Sequence, residues 1–108
     1  MLDIKTLVDQ SIALAQDASQ KKFNEIGGDR YACGFAWVNV YVERTNSKEA
    51  KELIKAGFKK DYRPKTLSMW NPGGLNVQNI DIKEAGADAM AKFLCEQGFK
   101  AYSGSRLD

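Results

Sequence analysis

A strand pattern runs from Gly34 to Arg44, where the sequence reads GFAWVNVYVER. β-Branched and aromatic residues alternate along this stretch, which is typical of a strand whose two faces meet different surroundings. The alternation separates the side chains into two sets, Ala36, Val38, Val40 and Val42 on one face and Phe35, Trp37, Asn39 and Tyr41 on the other. We expect the aliphatic set to lie on the core.

A second alternating stretch, from Lys65 to Trp70, predicts a partner for this strand. Its apolar set is Leu67 and Met69, and its other face carries Thr66, Ser68 and Trp70. A shorter strand is predicted just before it, over 58–62, since the Arg63-Pro64 pair indicates a turn between the two.

Three stretches have the period of an amphipathic helix. The first covers 1–26, with Asp3 as a candidate cap and Gly27 at its end. The second begins after Asn46 or Ser47 and ends at Gly57.

The third helix is predicted to begin with a capping box formed by Asp81 and Glu84 and to run to Gln97. Gly86 lies inside it, where glycine costs about 1 kcal/mol relative to alanine, so we expect another backbone to approach closely there. This helix, like the second, closes on a Gly-Phe-Lys triplet, and Tyr102 soon follows, which indicates that each leads directly into a strand.

The predicted order after the first helix is strand, helix, strand, strand, helix, strand. This order predicts an α+β fold of ferredoxin-like βαββαβ type over 34–106, with both helices on one face of an antiparallel sheet and an extra N-terminal helix over 1–26. With 108 residues, the chain is expected to form one domain, 1–108. In this topology the strands at 34–44 and 65–70 lie side by side in the middle of the sheet.

Composition limits the chemistry. The chain contains no histidine and two cysteines, Cys33 and Cys95, which excludes Ser-His-Asp and Cys-His triads and a structural zinc site. We therefore expect a protein that is not an enzyme and needs no cofactor or metal. No stretch approaches the roughly 20 apolar residues that span a bilayer, so we expect a cytoplasmic protein without a membrane partner, whose cysteines are buried free thiols.

The ring-bearing face of the two middle strands is the first candidate site. It would bring together Trp37, Asn39, Tyr41, Ser68 and Trp70, and the irregular stretch that follows, with Asn71, Gly73 and Gly74, is of a length typical of binding loops. Such a face is interpreted in two ways. Either the N-terminal helix or a second copy in a homodimer covers it, or it remains open and stacks planar ligands such as bases. The placement of aromatic residues on the middle strands resembles the architecture of the RNA-recognition motif, although the glycine- and aromatic-rich octamer of that family is missing from 63–71.

A basic segment is the second candidate site. Residues 31–65 hold eight lysines and arginines against four acidic residues, and the candidates for phosphate contacts in this segment are Lys55, Lys59, Lys60, Arg63 and Lys65. The alternative is a solvated helix face with weak pairings among its charges.

Three short stretches together resemble small proteins of tailed bacteriophages. They are CGFAWV at 33–38, SMWNP at 68–72 and SRLD at 105–108. The resemblance implies a phage protein made in the host cytoplasm and assigns no activity to particular residues. Two hypotheses follow from the sequence: a non-catalytic interaction or regulatory module that binds a protein partner or itself as a homodimer, and a single-stranded nucleic-acid or nucleotide-binding domain.

Overall fold

The computed structural model describes residues 3–108. Within this range the chain forms three helices and four strands, which confirms the α+β class. The elements in chain order are α1 (Ile4–Ile26), β1 (Gly34–Tyr41), α2 (Lys48–Lys55), β2 (Lys59–Lys60), β3 (Thr66–Trp70), α3 (Ile80–Glu96) and β4 (Lys100–Leu107). Met1 and Leu2, which the prediction included in the first helix, lie outside the described residues.

The strands form one antiparallel sheet in the order β2-β3-β1-β4. The middle strands are β1 and β3, as predicted, and their register pairs Val38 with Met69 and Trp37 with Trp70. β3 begins at Thr66 instead of Lys65, because Lys65 has a φ of 57° and belongs to the turn. β1 ends at Tyr41, three residues before the predicted end.

The first two helices begin where the sequence predicts. Asp3 caps α1 by accepting a hydrogen bond from the Thr6 amide at 2.8 Å, and Ser47 caps α2 in the same way from Ala50 at 3.1 Å. Gly27, with a φ of 82°, ends α1, since glycine takes this left-handed conformation without strain.

The predicted cap of the third helix is wrong: α3 begins at Ile80 and its N-cap is Asn79, so Asp81 lies in the first turn. The Asn79 side chain accepts from the Ile82 amide at 2.9 Å and donates to the carbonyls of Arg30 and Tyr31 at 2.8 and 3.0 Å. Because two of these partners lie nearly fifty residues away in sequence, the local capping pattern does not reveal them.

The core lies between the sheet and the helices. Its central side chains come from every layer and include Val38, Val40, Leu53, Phe58, Leu67 and Leu94. Burial of this aliphatic set gives the principal stabilisation, at about 1.5–3 kcal/mol for each fully buried side chain. The predicted division of β1 into a core face and a reverse face is confirmed by the burial of Ala36, Val38 and Val40.

α1 packs mainly against α3 and also contacts α2, so it lies on the helix side of the sheet. The Ser19 hydroxyl donates to the Ile82 carbonyl at 2.9 Å across this contact. A Cβ atom on Gly86 would lie only 3.0 Å from Gly73 Cα, which confirms the predicted close backbone approach. The first helix therefore does not cover the ring-bearing face of the sheet, so the expectation that this helix is the cover is wrong, whereas a second copy as the cover is not tested.

Candidate functional site: the open face of the sheet

The side of the sheet away from the helices is called the open face below. The strand register assigns its members: Phe35, Trp37, Asn39 and Tyr41 from β1, Thr66, Ser68 and Trp70 from β3, Lys100, Tyr102, Gly104 and Arg106 from β4, and Lys59 from β2. All four strands thus contribute to one continuous surface.

An aromatic row crosses one end of the open face. The rings of Trp37 and Trp70 lie 4.7 Å apart at 30°, and Phe35 meets Trp70 edge-on at 6.1 Å. Trp70 nevertheless keeps 50% of its surface exposed. The row therefore presents the Trp70 ring, which packs against Trp37 and Phe35 and still has enough exposed surface for a planar ligand to stack on it.

Tyr41 and Tyr102 lie further along the same face, and both are exposed. Tyr102 is opposite Asn39 in the register, and Lys100 Nζ lies 5.7 Å from the centre of the Tyr41 ring. The open face consequently has exposed rings on three strands, interleaved with cations.

A polar network lies at the centre of the face. Asn39 is only 1% exposed, and its amide oxygen accepts from Trp37 Nε1 at 3.1 Å and from Arg63 Nη2 at 3.0 Å in the orientation that satisfies both donors. Arg63 Nε in turn donates to Asp61 Oδ2 at 2.9 Å. The network joins the turn after β2 to β1 and holds the side chains of Trp37 and Arg63 on either side of Asn39.

Hydrogen bonding and charge in this network shift two ionisable groups. The hydrogen bond from the Arg63 side chain lowers the pKa of Asp61 from its usual 3.8, and the same bond raises the pKa of Arg63. Asp61 is therefore an ionised, paired carboxylate at neutral pH.

The open face is positively charged. Lys59, Arg63, Lys100 and Arg106 contribute cations, and the negative charge among the network residues is Asp61, which is bound to Arg63. The Arg106 guanidinium lies 5.5 Å from the centre of the Phe35 ring, so cations border the aromatic row as well.

A cleft of about 410 Å³ opens at the β2 edge of the face, where Lys59, Tyr62, Ser68 and Trp70 are among its lining residues. A larger cleft of about 630 Å³ lies on the helix side, and Ile4, Lys48, Glu49, Glu52 and Phe99 are among its lining residues. Because two carboxylates oppose one lysine there, the larger cleft suits a polyanion less well than the open face does.

The predicted site residues divide between three places. Trp37, Asn39, Tyr41, Ser68 and Trp70 come together on the open face, although Asn39 and Ser68 lie buried beneath the larger side chains.

The loop residues do not join that set. Asn71 has a φ of 47° and donates from its side chain to the Leu75 carbonyl at 3.0 Å, Gly73 is buried against Ser19, and Gly74 is exposed with a φ of 74°. Asn71 and Gly73 thus shape the loop and its packing on α1.

The basic segment is also split by the fold. Lys59 belongs to the open face by its register, and Arg63 reaches that face through its hydrogen bond to Asn39. Lys60 pairs with core-facing Leu67 and so lies on the helix side. Lys55 is on the exposed surface of α2 and Lys65 is in the β2–β3 turn. The five basic residues therefore do not form one cluster.

Sequence reasoning missed the contribution of β4. Lys100, Tyr102, Gly104 and Arg106 alternate along the last strand and complete the open face. The side chains of β4 do alternate with the period of two that is typical of a strand. However, this stretch is rich in serine and glycine and lacks the β-branched residues that make β1 recognisable.

Both cysteines are free thiols, as predicted, but they are not buried: Cys95 is exposed and Cys33 is half-buried. Among residues 3–108 no group of three or more cysteine or acidic side chains is placed to hold a metal ion. Over the same range no helix combines the length and the apolar character that crossing a membrane requires.

Comparison with known proteins found no matching family model, no matching curated protein and no matching solved structure. The geometry and charge of the open face are therefore the features that indicate a function.

Proposed function

We propose that this protein is a non-catalytic binding module whose open face takes up single-stranded nucleic acid. The observation that carries the proposal is the half-exposed Trp70 ring, stacked on Trp37 and bordered by cations on the same surface. Base stacking on such rings contributes about 1–3 kcal/mol per base, and lysine and arginine side chains neutralise the phosphates.

The position of the rings favours a single strand over a duplex. Trp37, Trp70 and Tyr102 lie on a sheet surface, and the bases of a duplex are stacked on each other and present only their edges. Unpaired bases can turn their faces to the rings.

The charge of the face supports this function over a homodimer formed through the same surface. Two copies placed face to face would oppose two surfaces that each carry Lys59, Lys100 and Arg106. Juxtaposed like charges oppose association, whereas a polyanion is attracted to them.

We further propose that residues 34–106 form a ferredoxin-like domain to which α1 is an addition. The arrangement β2-β3-β1-β4 and the placement of α2 and α3 on one side support this assignment. Origin in a tailed bacteriophage, and thus a place in the host cytoplasm, is proposed from the sequence resemblance alone.

Tryptophan fluorescence titration with a mixed-sequence single-stranded oligonucleotide, and with its duplex, tests the function. We expect quenching by the single strand, weaker binding of the duplex, and a log–log salt slope of about −2 to −3 for three to four phosphate contacts. Trp70→Ala should weaken binding about 5- to 150-fold, the equivalent of one stacked base.

Tyr31→Ala is the matched control, because Tyr31 is 93% exposed and lies outside the strands of the open face. The proposal fails if the folded wild-type protein binds no single strand at low salt, or if Trp70→Ala and Tyr31→Ala weaken binding equally.

A further inference from the structure

The carboxylate of Asp61 lies on a surface that is otherwise suited to a polyanion. Its side chain is 13% exposed, and its Oδ2 atom accepts from Arg63 Nε at 2.9 Å. Asn39 accepts from Nη2 of the same guanidinium at 3.0 Å. Two acceptors from different segments thus hold the Arg63 group at two of its nitrogen atoms.

We propose that Asp61 is a positioning residue that holds Arg63 ready to bind a backbone phosphate of the single strand. This inference rests on the proposed function and names the group of the ligand that Arg63 contacts.

The donors of Arg63 are only partly used. A guanidinium has five N–H donors, and the bonds to Asp61 and Asn39 use two, which leaves three. The Arg63 side chain is 41% exposed, so part of this planar group reaches solvent. Free donors in a fixed plane match the oxygens of a phosphate, which arginine binds with two parallel hydrogen bonds.

The place of Arg63 fits a phosphate next to a stacked base. Asn39 bonds both to Arg63 and to the indole of Trp37, so the guanidinium and the aromatic row are separated by one side chain. Lys59, on the neighbouring strand opposite Ser68, adds a second cation on the same side of the sheet.

A positioning role for Asp61 predicts an effect on binding affinity opposite to the one expected from its charge alone. If Asp61 acted only through its charge, removing it would strengthen binding of a polyanion. If Asp61 holds Arg63 in place, removing it frees the arginine side chain, and ordering such a chain on binding costs about 0.5–1.5 kcal/mol, a factor of roughly 2 to 10 in affinity.

Asp61→Ala and Asp61→Asn separate the two effects, because both remove the charge and only asparagine keeps an acceptor for Arg63. We expect Asp61→Ala to bind the oligonucleotide roughly 2- to 10-fold more weakly than Asp61→Asn. The slope of log affinity against log salt should be the same in both variants, because Arg63 keeps its charge and still reaches the phosphate once it is ordered. Equal affinities for the two variants would overturn the proposal.

A double-mutant cycle adds the second readout. In the Arg63→Ala background, Asp61→Ala should strengthen binding, because only its charge effect remains. Weakening of similar size in both backgrounds would show that Asp61 acts through the fold and would contradict the proposal.

Arg63→Lys provides a test that does not depend on removing Asp61. It keeps the charge but loses the planar fork, so we expect roughly 2- to 10-fold weaker binding, whereas unchanged affinity would contradict the proposal. Circular dichroism confirms that each variant is folded. If the wild-type protein binds no single strand, the proposed function itself is refuted. If the wild-type protein binds and Asp61→Ala and Asp61→Asn have equal affinities, only the role of Asp61 is refuted.

Discussion

The indole of Trp37 lies across Gly104 of the neighbouring strand, where a Cβ atom would be 2.6 Å from its Nε1 atom and 2.7 Å from its Cε2 atom. The two residues are partners in the β1–β4 register. Glycine at position 104 is thus what allows the ring to lie along the sheet, within reach of Asn39 and in contact with Trp70.

We predict that Gly104→Ala displaces the Trp37 ring. The added methyl group forces the indole away from β4, which breaks its hydrogen bond to Asn39 and disturbs the stacking with Trp70. The variant should lose about 1–3 kcal/mol of unfolding free energy through overpacking and bind single strands at least about fivefold more weakly. Tryptophan emission and oligonucleotide titration measure the two effects.

Ser103→Ala is the control for this variant, since Ser103 is adjacent in β4 but bonds to Asp88 on the helix side. It should leave binding unchanged. If Gly104→Ala has the same tryptophan emission and the same oligonucleotide affinity as the wild-type protein, the described placement of the ring is contradicted.

Asn79 is predicted to matter more for stability than the residue that the sequence pattern favours as the cap. Asn79→Ala removes the cap of α3 and leaves the carbonyls of Arg30 and Tyr31 without their partner, so we expect a loss of about 2–4 kcal/mol. Asp81→Ala, at an exposed position in the first turn, should cost less than about 0.5 kcal/mol. Urea unfolding of both variants measures these losses. Equal losses of unfolding free energy would contradict the assignment of Asn79 as the cap.

Gly86 is predicted to be intolerant of alanine although alanine favours helices. The new Cβ would lie 2.5 Å from Ser19 Oγ and 3.0 Å from Gly73 Cα, so the contact between α1 and α3 must open. We expect Gly86→Ala to lose about 1–3 kcal/mol, instead of gaining the roughly 1 kcal/mol of helix propensity.

The cause can be tested by combining two substitutions. Ser19→Ala removes the hydroxyl that meets the new methyl group, so thermal unfolding should show that Gly86→Ala costs less in this background. A gain in stability from Gly86→Ala alone would show that the helices are not in close contact there.

The Asp61–Arg63 pair is predicted to control how Asp61 titrates. Its pKa is lowered in the folded protein, so the pair stabilises the fold above the unfolded pKa, near 3.8, and this contribution is lost as pH falls through the lower folded pKa. In Arg63→Gln the pKa of Asp61 should return toward 3.8. Carboxyl carbon NMR titration of both proteins checks this, and the same Asp61 pKa in each would refute the pairing.

The sequence predicted the local elements of this fold well because they depend on local chemistry. Alternation in β1 and β3, the caps at Asp3 and Ser47, and the glycine at the end of α1 are each visible within a few residues. The end of β1 and the start of β3 were less accurate, since the turn at Lys65 takes a left-handed conformation that lysine does not signal.

The candidate site was only partly predictable because it depends on pairing across the sheet. The alternation in the two strands predicts that Trp37 and Trp70 share a face, and their register confirms it. The network of Asn39, Arg63 and Asp61 joins segments more than twenty residues apart, and the part played by Gly104 follows from which strand lies beside Trp37. Neither the polar network nor the role of Gly104 corresponds to a recognisable pattern in the sequence.

Chemical-shift mapping of the labelled protein with a single-stranded oligonucleotide tests the central claim most directly. We predict that the indole N–H signals of Trp37 and Trp70 and the amides of β1, β3 and β4 shift together, while those of α1 stay in place. Shifts concentrated around Ile4 and Phe99, in the helix-side cleft, or no shifts at all at low salt, would contradict the assignment of the open face as the binding surface.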